Sequence, residues 1–268
     1  MGNKKSSQME QLLVIMSQLR DPERGCPWDI KQSFDSIVPY TLEEAYEVAD
    51  AIEKQNWLDV KEELGDLLFQ VVFYSQMAKE QDLFDFDEVV AGICEKLTRR
   101  HPHVFANKQF ASEAEVKANW EAEKAKERAD KAVDNSILAN VPLAMPALTR
   151  ADKIQKRCAQ FGFDWDSVAP VAEKVVEELD EVMDEYQQVT LDQNRIEEEM
   201  GDLLFSVVNL SRHLNVNPER ALQKANKKFE RRFRKVEKNV LEKGMEISNC
   251  SLEQLDQEWN IVKKMELK

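Results

Sequence analysis

Residues 61–75 read KEELGDLLFQVVFYS, and residues 197–211 read EEEMGDLLFSVVNLS. Ten of these fifteen positions are identical, at an offset of 136 residues. In the first copy the apolar residues recur at i, i+3, i+4, i+7 and i+8, as Leu64, Leu67, Leu68, Val71 and Val72. That spacing gathers them on one face of an α-helix and predicts that this face packs against a core.

An acidic segment precedes each copy. Residues 43–47 and residues 177–181 both have the pattern EExxE. Each lies in a stretch with helical apolar spacing, which predicts a helix that starts at Thr41 and another near residues 170–188. Because two motifs recur in the same order, we infer two homologous halves. The same spacing predicts further helices at 86–100, 112–126, 195–214, 218–243 and 252–264.

The join between the halves is predicted at residues 131–146. Pro142 and Pro146 interrupt helical periodicity there, and Asp134-Asn135-Ser136 favours a turn. This interpretation gives an N-terminal domain at residues 1–130 and a C-terminal domain at residues 147–268.

The composition favours an all-α protein. Charged residues make up 33% of the 268 residues, and only 7 Gly and 8 Pro interrupt stretches rich in helix-forming residues. The net charge of −14 argues against a general nucleic-acid binder, which needs a basic surface.

The sequence predicts a cytoplasmic protein. No apolar run approaches the roughly 18 residues of a membrane span, so no membrane association is expected. Residues 1–8 are polar and lack the apolar segment of a signal peptide. The four cysteines are scattered without a CxxC pair, which indicates free thiols in a reducing compartment.

Paired carboxylates are the main candidates for chemistry. Glu44 and Glu47 are three residues apart and share a helix face, as do Glu63 and Asp66. If the two helices pack antiparallel, the four side chains converge at the edge of the core. The second half repeats the set as Glu178, Glu181, Glu199 and Asp202.

Such a cluster predicts a divalent cation. Neighbouring carboxylates repel one another unless cations lie between them, and oxygen-only ligands suit Mg²⁺, with Mn²⁺ as a substitute. A water on the metal can attack phosphorus while a nearby Glu, Glu177 or Glu178, orients or deprotonates it.

Two structural alternatives compete with the metal hypothesis. Glu is common on solvated helix faces, and Glu44 also fits a capping box with Thr41. A di-iron bundle would instead require Glu-x-x-His pairs. Thr98, Arg100 and Leu210 precede the three histidines by three residues, which argues against iron.

Basic and aromatic residues recur in both halves. Lys228 and Arg232 lie four residues apart on a predicted helix, and the first half offers Lys96 and Arg100. Each pair is followed by a tryptophan, Trp259 or Trp120, which either stacks on a base or belongs to the core. For the cations the alternative is a solvated basic face.

The halves differ beside the carboxylates. Lys174 lies one turn before Glu178, and Arg195 lies one turn before Glu199, whereas the first half has Tyr40 and Asp59 at those places. We therefore expect the second half to hold phosphates better.

The motif EExxE, a spacer of 15 or 17 residues, then ExxD resembles the MazG family of nucleoside triphosphate pyrophosphohydrolases. GCPWD at 25–29, ELGD at 63–66, HPHVF at 101–105 and GFDW at 162–165 also resemble its two-domain bacterial members. The resemblance spans nearly the whole chain.

The resemblance implies an all-α fold with two tandem MazG-like domains and four-helix cores completed by a homodimer. It implies Mg²⁺-dependent conversion of a nucleoside triphosphate to a monophosphate and pyrophosphate, mainly at the second half. The implied metal ligands are Glu178, Glu181, Glu199 and Asp202. The implied nucleotide contacts are Lys174, Glu177, Arg195, Glu198, Lys228, Arg232 and Trp259.

Physical reasoning also predicts a partner subunit. Phe69, Phe73, Phe205 and Val208 widen the apolar surface beyond one narrow stripe, and exposed surface of that kind favours association. Two rival functions remain open, a dUTP or dCTP diphosphatase with narrow base choice and a non-enzymatic regulatory module.

Overall fold

The computed structural model describes residues 7–106, 108–131 and 136–266, with the backbone alone at 128–131. Within those ranges the regular secondary structure is helical, as predicted, and none of the helices is long and apolar enough to cross a membrane. The first six helices are α1 (Gln8–Leu19), α2 (Phe34–Glu53), α3 (Trp57–Glu80), α4 (Phe86–Arg100), α5 (Pro102–Phe105) and α6 (Glu113–Lys131). The other five are α7 (Ala147–Ala159), α8 (Val168–Tyr186), α9 (Gln193–His213), α10 (Pro218–Glu242) and α11 (Leu252–Glu266).

The chain divides into two compact units, and the division falls between Lys124 and Ala125. Part of the predicted linker, residues 132–135, lies outside the described residues. The domain bounds inferred from the sequence stay a prediction.

Helix α2 begins seven residues before the predicted start at Thr41, so that prediction was wrong. Ser33 is the N-cap, and its side chain and that of Ser36 bond each other's backbone N–H groups. Pro39 lies inside the helix and removes only one backbone donor near its beginning. The hydroxyl of Thr41 bonds the Ile37 carbonyl, at 3.2 Å, so Thr41 does not cap Glu44.

The α2–α3 pair builds the first unit. Because only residues 54–56 join the two helices, they run antiparallel and pack on each other. The stripe predicted on α3 is buried only in part, since Val72 is 0% exposed whereas Leu64 and Val71 are 50% and 38% exposed. Helix α1, which the sequence analysis did not predict, packs on α3 and closes the core. The buried side chains of this core are Met16, Ile37, Val72, Phe73 and Met77.

The α8–α9 pair is its counterpart in the second unit, joined by residues 187–192. Helix α7, also not predicted, packs on α9, where the Gln155 amide donates to the Phe205 carbonyl at 2.8 Å. Helices α10 and α11 enclose a separate small core of Val236, Val240 and Val262.

The segments GCPWD at 25–29 and GFDWD at 162–166, which we call the W-D motifs, each begin with a glycine that has a backbone role. A Cβ on Gly25 would lie 2.4 Å from the Leu19 carbonyl oxygen, so only glycine fits beside the end of α1. Gly162 follows α7 with a φ of +84°, a conformation that side chains disfavour. Gly25 therefore fixes the turn after α1, and Gly162 fixes the turn after α7.

An exposed apolar surface is present, as expected, but it is formed in part by residues other than those named from the sequence. Phe73 and Val208 are each 1% exposed, so their assignment to an outer surface was wrong. Other apolar side chains of the α8–α9 pair remain exposed in the single chain: Val176, Leu179, Met183, Met200, Leu204, Phe205 and Val207.

Arg20 ties α1 to the end of α3. Its guanidinium contacts both carboxylate oxygens of Glu80 at 2.6 to 3.0 Å and donates to the Asp29 carbonyl at 2.6 Å. The side chain is only 10% exposed. These hydrogen bonds lower the pKa of Glu80, although burial acts in the opposite direction.

Arg20→Met should destabilise the first unit by about 2 kcal/mol, because it leaves the Glu80 carboxylate and a backbone carbonyl without their donor. Chemical unfolding of the full chain, followed by circular dichroism, measures the change. The exposed Lys117–Glu113 pair supplies the control, since Lys117→Met should stay within about 0.5 kcal/mol. Equal effects of the two substitutions would contradict this role for Arg20.

Candidate functional site

Each helix pair brings three carboxylates together. Ligand atoms of Glu44, Glu63 and Asp66 lie within 4.8 Å of one another, and so do those of Glu178, Glu199 and Asp202. We call these the first and second triads. One member comes from the earlier helix of each pair and two from the later helix, so antiparallel packing assembles each triad as the sequence analysis predicted.

The fourth predicted member stands close to each triad. The charge of Glu47 raises the pKa of Glu44 and of Glu63, and the pKa of Glu181 is raised by burial and by Glu178 and Glu199. Glu47 and Glu181 are exposed, in keeping with a place at the rim of each cluster. The structure thus brings near each other all four carboxylates predicted in each half.

The triads differ in burial. Glu178 is 6% exposed, whereas its counterpart Glu44 is half-buried. Burial is the largest cause that raises the pKa of Glu44, followed by the charge of Asp66. Carboxylates held this close disfavour full ionisation, and a divalent cation removes that penalty.

The donor set fits a hard cation. Each triad offers carboxylate oxygens without a sulfur or imidazole ligand, which matches the preference of Mg²⁺ or Mn²⁺ and not that of zinc.

Lys174 stands at the second triad as predicted. Its ammonium contacts Glu178 at 2.7 Å and Glu177 at 2.9 Å. The hydrogen bond to Glu178 is the main cause that raises the pKa of Lys174, so the lysine is charged. The Lys174 ammonium thereby acts as a counter-ion for the buried Glu178, while Glu177 remains largely exposed.

Arg195 is directed elsewhere. Its guanidinium pairs with Glu185 of α8 at 2.8 Å, and this contact is the main cause that raises its pKa. Glu199 and Glu198 act on it only through their charge. Arg195 thus lies close enough to Glu199 to be affected by its charge, while its direct contact is with Glu185.

The basic residues of α10 lie against α11. Arg232 bonds Glu266 at 2.8 Å, and its guanidinium carbon is 5.9 Å from the centre of the Trp259 ring. Trp259 packs on the small core of these helices and against Phe229, with 5.1 Å between ring centres. Lys228 is exposed on α10. A core role accounts for Trp259 in the single chain.

The first triad has different neighbours. Tyr40 occupies the position of Lys174 and meets the Trp28 ring edge to face, with 5.8 Å between the centres. Lys96 and Arg100 are half-buried on α4, and Lys124 lies 4.6 Å from the centre of the Trp120 ring.

A cavity that was not predicted from the sequence lies beside the second triad. It has a volume of about 260 Å³, and Lys174, Glu178 and Asp202 form part of its lining. The rest comes mainly from α7, α9 and the segment 163–165. The motif GFDW could have indicated the cavity, because it marks the segment 163–165. The cavity could not be predicted without α7, which forms one of its walls and was not predicted from the sequence.

Comparison with known proteins gives a consistent match. A model of the MazG nucleotide pyrophosphohydrolase domain matches the chain twice, at residues 32–105 and 167–237. An Escherichia coli K12 protein named nucleoside triphosphate pyrophosphohydrolase is 56% identical over 97% of this chain and 99% of its own length. A Thermotoga maritima protein named nucleoside triphosphate pyrophosphohydrolase/pyrophosphatase MazG is 44% identical over 95% of both chains.

Titration with Mn²⁺, followed by electron paramagnetic resonance, should show two classes of binding site, one for each triad. Glu199→Gln should weaken the second class, and Glu63→Gln the first, by at least about tenfold, because each removes a charged oxygen ligand. Glu173→Gln, an exposed change on α8, should leave both classes intact. Binding that survives Glu199→Gln and Glu63→Gln together would place the metal elsewhere.

Proposed function

This chain belongs to the MazG nucleotide pyrophosphohydrolase family, and from that membership we propose that it hydrolyses nucleoside triphosphates to monophosphate and pyrophosphate at the second triad. The observation that carries the proposal is the second triad itself. A buried Glu178 faces Glu199 and Asp202 within 4.8 Å and has Lys174 at 2.7 Å. The site thus combines oxygen ligands for a cation with a cation for phosphate.

Glu178, Glu181, Glu199 and Asp202 would hold Mg²⁺, with Mn²⁺ as a substitute. When bound, the metal supplies positive charge to the phosphates and lowers the pKa of a bound water. The water oxygen bonds to the α-phosphorus as the bond from that phosphorus to the bridging oxygen breaks, and pyrophosphate leaves. Glu177 or Glu178 orients the water or accepts its proton.

Cationic side chains would neutralise the triphosphate. Lys174 already lies at the triad, and with a metal held by Glu178 its ammonium would be available to pair with phosphate. Arg195, Lys228 and Arg232 would join it, with Glu177, Glu198 and Trp259 as further nucleotide contacts. Because Arg232 bonds Glu266 in the single chain, its part requires an exchange of partner.

The first triad would form a second, weaker site. Glu44, Glu47, Glu63 and Asp66 would hold its metal, and Lys96, Arg100 and Trp120 would be its nucleotide contacts. Tyr40 stands where the second half has Lys174, so the first site has less positive charge at the carboxylates. This proposal includes the domain bounds 1–130 and 147–268, with a linker at 131–146.

A homodimer would cover the exposed apolar face of the α8–α9 pair. Leu179 and Leu204 are 48% and 51% exposed, and the other exposed side chains of the pair extend the same surface. Two such pairs related by a twofold axis would form a four-helix core.

The product assay is the central test. The chain is incubated with Mg²⁺ and each common NTP and dNTP, and the products are separated by ion-exchange chromatography. We expect monophosphate and pyrophosphate, and loss of at least about a thousandfold of the activity in Glu199→Ala or Asp202→Ala, because the metal site is broken. Glu63→Ala is the matched control and should retain most of the activity.

Other outcomes identify the rival functions. Orthophosphate with a nucleoside diphosphate would overturn the reaction. Turnover of dUTP or dCTP alone would indicate the base-selective diphosphatase, and no metal-dependent turnover would favour the regulatory module. Full activity in Glu199→Ala combined with loss in Glu63→Ala would move the main site to the first half.

Leu204→Glu should convert the dimer to a monomer, because it places a charge in the proposed four-helix core. Light scattering after size-exclusion chromatography measures the mass. Leu241→Glu on α10, at a residue that is 73% exposed, is the control and should stay dimeric. A wild-type monomer, or a dimeric Leu204→Glu variant, would contradict this interface.

A further inference from the structure

We propose that the cavity beside the second triad binds the nucleobase, and that Gln155 accepts a hydrogen bond from an N–H group on the edge of the base. The inference rests on the proposed function, because it assigns the nucleoside end of the same substrate. It adds a specificity-determining residue that lies on α7, outside the carboxylate motifs.

The two ends of the cavity differ in chemistry. Lys174, Glu178 and Asp202 line one end, and apolar groups, including Val171 and Phe205, dominate the remainder. Phosphates lose too much hydration to enter an apolar cavity, so they belong at the charged end. A heterocyclic base has apolar faces and a polar edge, which matches the rest of the lining.

Size also favours the base. The cavity, of about 260 Å³, lies below the range of roughly 300–1,000 Å³ typical of pockets that enclose a whole drug-sized ligand. It therefore suits one ring system, with the sugar and phosphates extending toward the triad. The Phe163 and Trp165 side chains line it and are 82% and 43% exposed, so they supply aromatic surface at the mouth.

Gln155 supplies the polar contact. The residue is 7% exposed, and its amide nitrogen donates to the Phe205 carbonyl at 2.8 Å. That bond fixes the orientation of the amide, because the reverse orientation would place two oxygens together. Its oxygen Oε1 is buried and has no hydrogen-bond partner among the described residues.

A buried acceptor without a donor costs free energy unless a ligand satisfies it. Since Gln155 lines the cavity, a ligand there can provide the missing donor. The exocyclic amino group of adenine or cytosine and the ring N–H of guanine or uracil are donors of the required kind. The amide accordingly favours a base that has such a group over one that has none.

The wall at the mouth is anchored to α9. Arg212 pairs through two nitrogens with Asp164, one of them at 2.8 Å, and His213 contacts the same carboxylate at 3.0 Å. Arg212 also donates to the Asn209 amide oxygen at 3.0 Å. These contacts hold the segment that contains Phe163 and Trp165 in place before a nucleotide arrives.

The repeat places different residues in the first half. Phe73 stands at the position of Asn209 and is buried in the core of its unit, and Tyr40 stands at the position of Lys174. Gln18 is the sequence counterpart of Gln155, counted from the glycine of each W-D motif, but it is exposed. The first half also has a buried amide oxygen without a partner, on Gln70 of α3, but Tyr40 replaces the lysine there. In the second half Gln155 and Lys174 line one cavity.

The test compares substrates that differ by one amino group. We would measure kcat/KM for ATP and purine riboside triphosphate, and for CTP and the pyrimidin-2-one riboside triphosphate. The wild-type chain should prefer the amino-bearing member of its better pair by about tenfold or more. Gln155→Met should remove most of that preference, and Gln18→Met should leave it unchanged.

A second variant avoids the buried amide. Phe163→Ala should raise KM about tenfold for both members of the pair, because it removes an exposed aromatic wall without disturbing the core. Phe161→Ala is its control, since Phe161 is 65% exposed and does not line the cavity. Thermal melting confirms that each variant is folded.

The outcomes separate the two proposals. A wild-type chain that turns over no triphosphate would overturn the proposed function. If the chain is active and a folded Gln155→Met variant keeps the same preference for the amino-bearing substrate, the proposed hydrogen bond between Gln155 and the base is wrong. An unchanged KM in Phe163→Ala would overturn the cavity as the base pocket.

Discussion

Repulsion between carboxylates at the edge of an apolar helix pair is the constraint on which this structure depends. Each unit places three acids within 4.8 Å of one another, and this arrangement is tolerated because buried contacts along the same two helices hold it. Val72 and Phe73 in the first unit and Val208 in the second are each at most 1% exposed. These buried contacts therefore supply the stability, and the acids beside them supply a site that favours a divalent cation.

The periodic segments were predictable because one local rule governs them. A stripe with helical spacing specifies a helix, so the ends of α4, α8, α9, α10 and α11 were predicted to within a few residues. It does not by itself specify the buried face, since Leu64 and Val71 of the predicted α3 stripe are 50% and 38% exposed. The same rule placed the acids on facing edges. It failed at the start of α2, where the Ser33 cap begins the helix seven residues before Thr41 and Ile37 is buried in the core.

Contacts between distant segments were not predictable in the same way. Helices α1 and α7 have less regular patterns, and their roles emerge only when they pack on α3 and α9. The cavity, the pairing of Arg195 with Glu185 and the contact of Arg232 with Glu266 depend on rotamers and tertiary neighbours. The spacing of residues could indicate that Arg195 or Arg232 lies near acidic side chains. It could not predict which acidic side chain each arginine pairs with.

Lys174 has a consequence for the order of events at the second triad. It serves as a counter-ion for Glu178, at 2.7 Å. If the second triad holds a divalent cation as proposed, that cation would take over a role that a tethered monovalent group fills here. The Lys174 ammonium would remain one turn from the carboxylate it had paired with, so its positive charge would be retained for an anionic substrate.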